Sequence, residues 1–173
     1  MKSLIKNRMP LLVLLGLLYA GDESRIGTSG ANQLLVPVGA RGVAMSGADL
    51  VYSHVVESAY WNPAGLSRLE STTVLASQMK MFGDVSVNYF GAGSKLGSTG
   101  AVSLTVKSID MGDIPITTVE AMDGTGSTFT PNMTTMALTY ANAFSDKARF
   151  GVSVKSITES IPRASASALA LDA

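Results

Sequence analysis

The sequence predicts an all-β chain, the opening part of a transmembrane antiparallel up-and-down β-barrel, and three observations predict it. Five segments alternate apolar and polar residues over about nine to thirteen positions each, longer than the usual strand of ~5–6 residues and close to the ~9–11 tilted residues that cross a bilayer. Only 15% of the residues are charged and the mean hydropathy is +0.28. After residue 21, however, no apolar run approaches the ~20 residues of a spanning helix. A soluble sandwich alternates in the same way, so strand length and scarcity of charge decide for the barrel.

Lys2, Lys6 and Arg8 form a positive opening, Leu11 to Leu18 is an apolar run broken only by Gly16, and Ala20-Gly21 supplies small residues for cleavage. That is the layout of a secretory signal peptide over residues 1–21. Three of the 13 basic residues and none of the 13 acidic ones lie there, which leaves the remainder at a net charge of −3. A weakly acidic chain without a basic stripe has no electrostatic footprint for nucleic acid. The absence of cysteine excludes disulfide-stapled scaffolds and thiolate chemistry. From Asp22 to Val38 the chain reads as a lead-in.

Residues 22–66 end in the most distinctive stretch of the chain, Gly39 to Leu66. Its first end, Gly39-Ala40-Arg41-Gly42-Val43-Ala44-Met45-Ser46-Gly47-Ala48, predicts a short helix-like turn packed close to a neighbour, because glycine and alanine hold no other backbone away. Arg41 is its one long charged side chain, which requires a carboxylate or carbonyl partner if the segment is buried. In the second end, Tyr60-Trp61-Asn62-Pro63-Ala64-Gly65-Leu66, Pro63 disfavours a helical Asn62, Gly65 permits a positive φ and Trp61 offers a large anchor.

These two motifs resemble those of the PorV/PorQ family of outer-membrane proteins, part of the wider FadL-like barrel group. The matching residues are Gly39, Ala40, Arg41, Met45, Gly47 and Ala48, then Trp61, Asn62, Pro63, Ala64, Gly65 and Leu66. Ser46 stands where the family pattern more often has glycine, and the Asn-Pro-Ala block is shared by FadL-like barrels in general. The resemblance covers residues 27–173, most strongly the first third of them. It implies a FadL-like barrel of about fourteen strands when complete, a hatch built from the Gly39–Leu66 stretch, and a place in the bacterial outer membrane.

After Leu66 the period changes to two, and residues 67–173 read as the first five to six strands of an incomplete barrel. The predicted strands are Thr72 to Phe82, Asp84 to Lys95, Ala101 to Ile109, Asn132 to Phe144 and Ala148 to Glu159. Val102, Leu104 and Val106 oppose Ser103, Thr105 and Lys107; Met136, Leu138, Tyr140 and Phe144 oppose Thr135, Thr139 and alanines; Phe150, Val152 and Val154 oppose Gly151, Ser153 and Lys155. One face is apolar and the other polar or small, the outward-apolar pattern of a membrane barrel. Met79, Met81 and Phe82 blur the register of the first strand. Tyr89, Phe90, Phe144 and Phe150 are candidates for interfacial girdles. Ser165 to Ala173 reads as a sixth strand that has only begun, which makes the chain the N-terminal part of a longer protein.

Short turns at Gly97-Ser98-Thr99-Gly100 and Ser145-Asp146-Lys147 fall at one end of such a meander, and the long, irregular Asp110–Pro131 connection falls at the other, as barrels distribute their turns. Gly83-Asp84 is tighter than the loop expected at its end. Within the long connection Asp110, Asp113, Glu120 and Asp123 are a candidate partner-binding surface, since loops on a rigid scaffold commonly carry binding. Their spacing does not match a calcium loop.

Catalytic constellations are close to absent. His54, the only histidine, stands beside Ser53, an adjacency that says nothing of a triad. Gly91-Ala92-Gly93-Ser94-Lys95 lacks phosphate-loop spacing and falls in a strand, where small residues admit a close neighbour. No catalytic residue, metal or cofactor is assigned and an enzyme is the least favoured class. The resemblance implies a non-enzymatic part in type IX-like protein secretion, with cargo proteins, attachment components and membrane lipid as partners. The alternative it leaves open is a FadL-like transporter of hydrophobic small molecules.

Overall fold

The computed structural model describes residues 30–48, 50, 56–161 and 164–173. The signal-peptide reading of residues 1–21, and Ser53 and His54, lie outside the described residues. Gln33–Ala173 form one compact unit, and of the separate unit before it only residues 30–32 are described.

The chain is all-β in its body. Six long strands, β1 (Thr73–Lys80), β2 (Ser86–Lys95), β3 (Ala101–Asp110), β6 (Asn132–Ala143), β7 (Arg149–Ile161) and β8 (Ala164–Asp172), form one antiparallel sheet in the order β1-β2-β3-β6-β7-β8. The two-residue pair β4 (Ile114–Pro115) and β5 (Thr128–Phe129) makes a small second sheet inside the connection from β3 to β6. That connection is therefore partly ordered, where the sequence suggested an irregular loop. Each of the six long strands neighbours the long strand before it, the up-and-down meander expected from the alternation.

The strands match the sequence expectations to within a few residues, with informative differences. β1 stops at Lys80, so Met81 and Phe82 belong to the turn, closed by Met81 N–H on the Val85 carbonyl at 2.9 Å. With those two removed the strand alternates cleanly, Val74 exposed and Leu75 half-buried. The last segment is a strand of nine residues paired along β7 rather than one only begun.

Register places whole rows of like character across the sheet. Val74, Ala92, Leu104, Leu138, Val154 and Leu171 are successive partners on all six strands. The adjacent row on that face runs Ala76, Phe90, Val106, Met136, Ser156, Leu169, and the next is wholly polar: Gln78, Asn88, Ser108, Thr134, Thr158, Ser167. At the opposite end of this face Phe144 stacks on Phe150 at 4.9 Å, and Tyr140 meets Phe150 edge-on at 6.1 Å. Tyr89, grouped with these aromatics from sequence, instead faces the other side of the sheet and is buried there. Odd and even positions of a strand point to opposite faces, so one residue of offset separates Tyr89 from Phe90.

The two faces have opposite exposure from that of a soluble sheet. Leu104 and Leu138 are 57% and 55% exposed, whereas Ser103 and Thr139 are 2% and 0% exposed. The polar face is covered by the segment from Gln33 to Leu69, and three strand glycines admit it. A Cβ on Gly91 would lie 2.5 Å from Val56, one on Gly93 3.0 Å from Leu69, and one on Gly151 2.5 Å from the Ala64 amide. Small residues in the strands thus face a close neighbour, as their placement suggested.

Gly151→Ala forces the segment and β7 apart, since its new methyl meets the rigid backbone of Pro63 and Ala64. A loss of about 1–3 kcal/mol in unfolding free energy is expected from such overpacking, measured by urea titration.

Candidate functional site

The covered face and its cover together make the candidate site. The cover begins with a 3-10 turn, Asn32–Leu35, passes through α1 (Ala40–Ala44) and α2 (Ser58–Trp61), and ends in a second 3-10 helix, Pro63–Arg68. Neither α-helix exceeds five residues, too short to be stable without tertiary contacts.

Those contacts explain the glycine-rich motif. Gly39 is buried with φ +81, and a side chain there would overlap the Glu57 carboxylate. Gly42 is buried against Trp61, whose Cζ2 lies 2.6 Å from where a Cβ would stand. After α1 the chain reverses through Ser46 at φ 52 and Gly47 at φ 84, and Gly47 faces the same indole. Trp61 is thus the anchor expected of it, gripped by Gly42 and Gly47 and set edge-on to Tyr60 at 5.1 Å. Ala40, Arg41, Met45 and Ala48 are exposed. Burial in the motif is confined to its glycine side, so the charge on Arg41 remains at the surface.

The Asn-Pro-Ala-Gly block works as a helix start. Asn62 is extended at φ −157, as a residue before proline must be, and its Oδ1 accepts the Ala64 N–H at 3.1 Å. Pro63 occupies the first helical turn, where its missing N–H costs nothing. Gly65 lies inside this 3-10 helix instead of taking a positive φ, because the Pro63 start carries the helical conformation through to Arg68. Leu66 and Leu69 then pack with Ala101 and Ala141 of the sheet in one buried cluster.

The lead-in is held by polar contacts. Lys107 Nζ donates to the carbonyls of Gln33 at 2.5 Å and Val36 at 2.9 Å, and sits 4.8 Å above the Tyr60 ring. Tyr60 Oη donates to the carbonyls of Leu34 and Val36, both at 2.8 Å. Burial pushes the Tyr60 hydroxyl up to about 12 from its ordinary 10. Elsewhere on this face Tyr89 Oη donates to the Val56 carbonyl at 3.4 Å, Thr139 and Ser153 hydroxyls pair at 2.7 Å, and Lys155 binds Asp172 at 2.8 Å.

The acidic residues of the long connection do not converge. Asp110 Oδ1 accepts the Gly112 N–H at 2.8 Å in a local turn, Asp113 accepts from the Thr130 hydroxyl at 2.5 Å, and Glu120 and Asp123 are exposed. Among the described residues no group of three acidic or histidine side chains could hold a metal ion. The arrangement packs one chain segment closely over the polar face of the sheet. Sequence reasoning passed over Gly42, Tyr60 and Lys107, although a lysine alternating into the Ser103–Thr105 face was a visible signal.

Gly47→Ala should cost about 1–2 kcal/mol through its left-handed φ alone, read as a lowered urea midpoint. Because the folded state favours the neutral phenol of Tyr60, its contribution is complete below pH ~10 and lost as the pH rises from about 10 towards 12. Trp61 fluorescence should report loosening of the cover in that window, and Tyr60→Phe should weaken the transition. Comparison with protein-family models, with curated proteins and with solved structures finds no match to this chain.

Proposed function

We propose that this chain forms part of an outer-membrane β-barrel of the PorV/PorQ kind, and that it serves protein secretion without catalysing a reaction. The single observation that carries the reading is the inverted amphipathy of the sheet: Leu104, Leu138, Val152 and Val154 face out, while Ser103, Thr105, Lys107, Thr139 and Ser153 are buried. A soluble sheet covers its apolar face; a lipid-facing one exposes it and turns its polar face inward.

In this reading the Gln33–Leu69 segment is a hatch against the inner wall, and the polar row at Gln78, Asn88 and Ser108 marks one membrane boundary. β1 and β8 each pair on one side only. Lipid tolerates no open edge, so further strands complete the barrel along both. The Asp110–Pro131 connection lies at the polar-row end and offers the recognition surface for cargo, with Val119 and Met122 its most exposed apolar side chains. Secretion rather than transport rests on the family resemblance of the two motifs.

Leu104→Arg should impair membrane assembly, since a lipid-facing arginine costs ~2–4 kcal/mol at mid-bilayer, whereas Val119→Arg in the long connection should assemble normally. Heat-modifiable migration after detergent extraction reads both. Normal assembly of Leu104→Arg would reverse the assignment of the faces. The function itself is tested by pulling the tagged full-length chain from solubilised outer membranes for mass spectrometry. Secretion components or cargo proteins support the proposal, a stoichiometric hydrophobic ligand without them replaces it with transport, and recovery from the soluble fraction removes the barrel.

A further inference from the structure

On the face of the sheet away from the hatch, an open groove of about 440 Å³ spans β1, β2 and β3. Six of its lining residues point to that face: Ala76, Phe90 and Val106 in one cross-strand row, and Gln78, Asn88 and Ser108 in the next. Ala76 makes the recess. Its methyl stands between the longer Val74 and Gln78 on the same face of β1 and beside Phe90, which is 52% exposed. The volume falls in the roughly 300–1,000 Å³ range of small-molecule sites.

Polarity divides along the strands. At one end the lining is hydrocarbon, and the row beyond it, Val74, Ala92 and Leu104, is apolar too. At the other end Gln78 Nε2 donates to Asn88 Oδ1 at 3.0 Å, which leaves Gln78 Oε1 and the Asn88 amide N–H groups outside that bond. Ser108 Oγ accepts from Asn132 Nδ2 at 3.2 Å and keeps its own O–H to donate. These groups set donors and acceptors side by side, and none is charged. The row beyond them carries Lys80 and Asp110, one cation and one anion two strands apart, so this end of the face has no net sign. A phosphate or ammonium headgroup would find no charged partner in the groove, whereas hydroxyls, which both donate and accept, match two amides and a serine.

Resting on the membrane reading above, the geometry points to a site for one amphiphile with an uncharged, hydroxyl-rich headgroup, a glycoside. Gln78, Asn88 and Ser108 bond the headgroup, and the chain lies on Ala76, Phe90 and Val106. The polar end of the groove is part of the row that marks the membrane boundary in that reading. Headgroup and chain therefore fall at the depths where a bilayer holds them.

The test uses native mass spectrometry of the full-length chain. Extracted with a phosphocholine detergent, the protein should hold one glycolipid carried from the membrane. After delipidation it should retain one added dodecyl maltoside in preference to the phosphocholine of equal chain length. Maltoside retained where no glycolipid is carried over supports the site with a free glycoside as its occupant. Gln78→Leu combined with Asn88→Leu keeps the bulk and removes the amides, and should weaken maltoside retention about tenfold. Ala76→Phe fills the recess and should abolish it. These variants present apolar side chains to lipid, so heat-modifiable migration should stay that of the wild type. Equal retention of the two detergents, a phospholipid or polypeptide in place of the glycoside, or retention indifferent to Ala76→Phe overturns the site. An inserted barrel without headgroup preference removes this site alone, while recovery of the full-length chain from the soluble fraction removes the membrane reading and the site with it.

Discussion

Everything in this structure depends on how closely the N-terminal segment approaches the sheet. Gly91, Gly93 and Gly151 leave recesses into which Val56, Leu69 and the Pro63–Ala64 backbone descend. Any side chain at those strand positions would lift the cover and wet the hydroxyls beneath. With the cover in place, Thr139 and Ser153 find each other in a dry environment where an unpaired hydroxyl is costly. Lys107 can then turn to the main-chain carbonyls of the segment, because no water competes for its N–H groups there. Close packing thus comes first and the polar contacts follow from it.

The consequence reaches the other side of the sheet. Because the polar face is occupied, the apolar rows through Leu104, Leu138 and Val154 have no protein layer over them in the described residues. Soluble monomers rarely expose contiguous apolar patches beyond a few hundred square ångströms. A six-strand row of this kind calls for an apolar solvent or a protein partner. The membrane reading proposed above rests on its flanks: a polar row closes one side and stacked Phe144 and Phe150 lie at the other. A helix packed on the sheet would need no such graded borders, whereas a bilayer supplies them.

How far this was legible in the sequence follows from the range of each interaction. Strand existence and facing were readable, since alternation at Val102–Lys107 or Phe150–Lys155 depends only on the two-residue period of a strand. The end of β1 was not, because Met81 and Phe82 continue the apolar character while the turn after them is fixed by a single main-chain bond to Val85. Asn62 was readable through its proline; Gly65 was not, since glycine permits a positive φ without requiring one. Gly42 and Lys107 act across 19 and 71 or more residues, on Trp61 and on the Gln33–Val36 carbonyls. No local pattern encodes those partners.

The same distinction bears on what the glycine-rich motif is for. Its glycines serve contact with Trp61 and Glu57, while its polar and long members, Arg41 and Met45, point to the surface. A catalytic motif would do the reverse, placing reactive side chains inside and using small residues only to shape access. Here the inside is filled by an indole. The motif is therefore a joint that locks one chain segment to another.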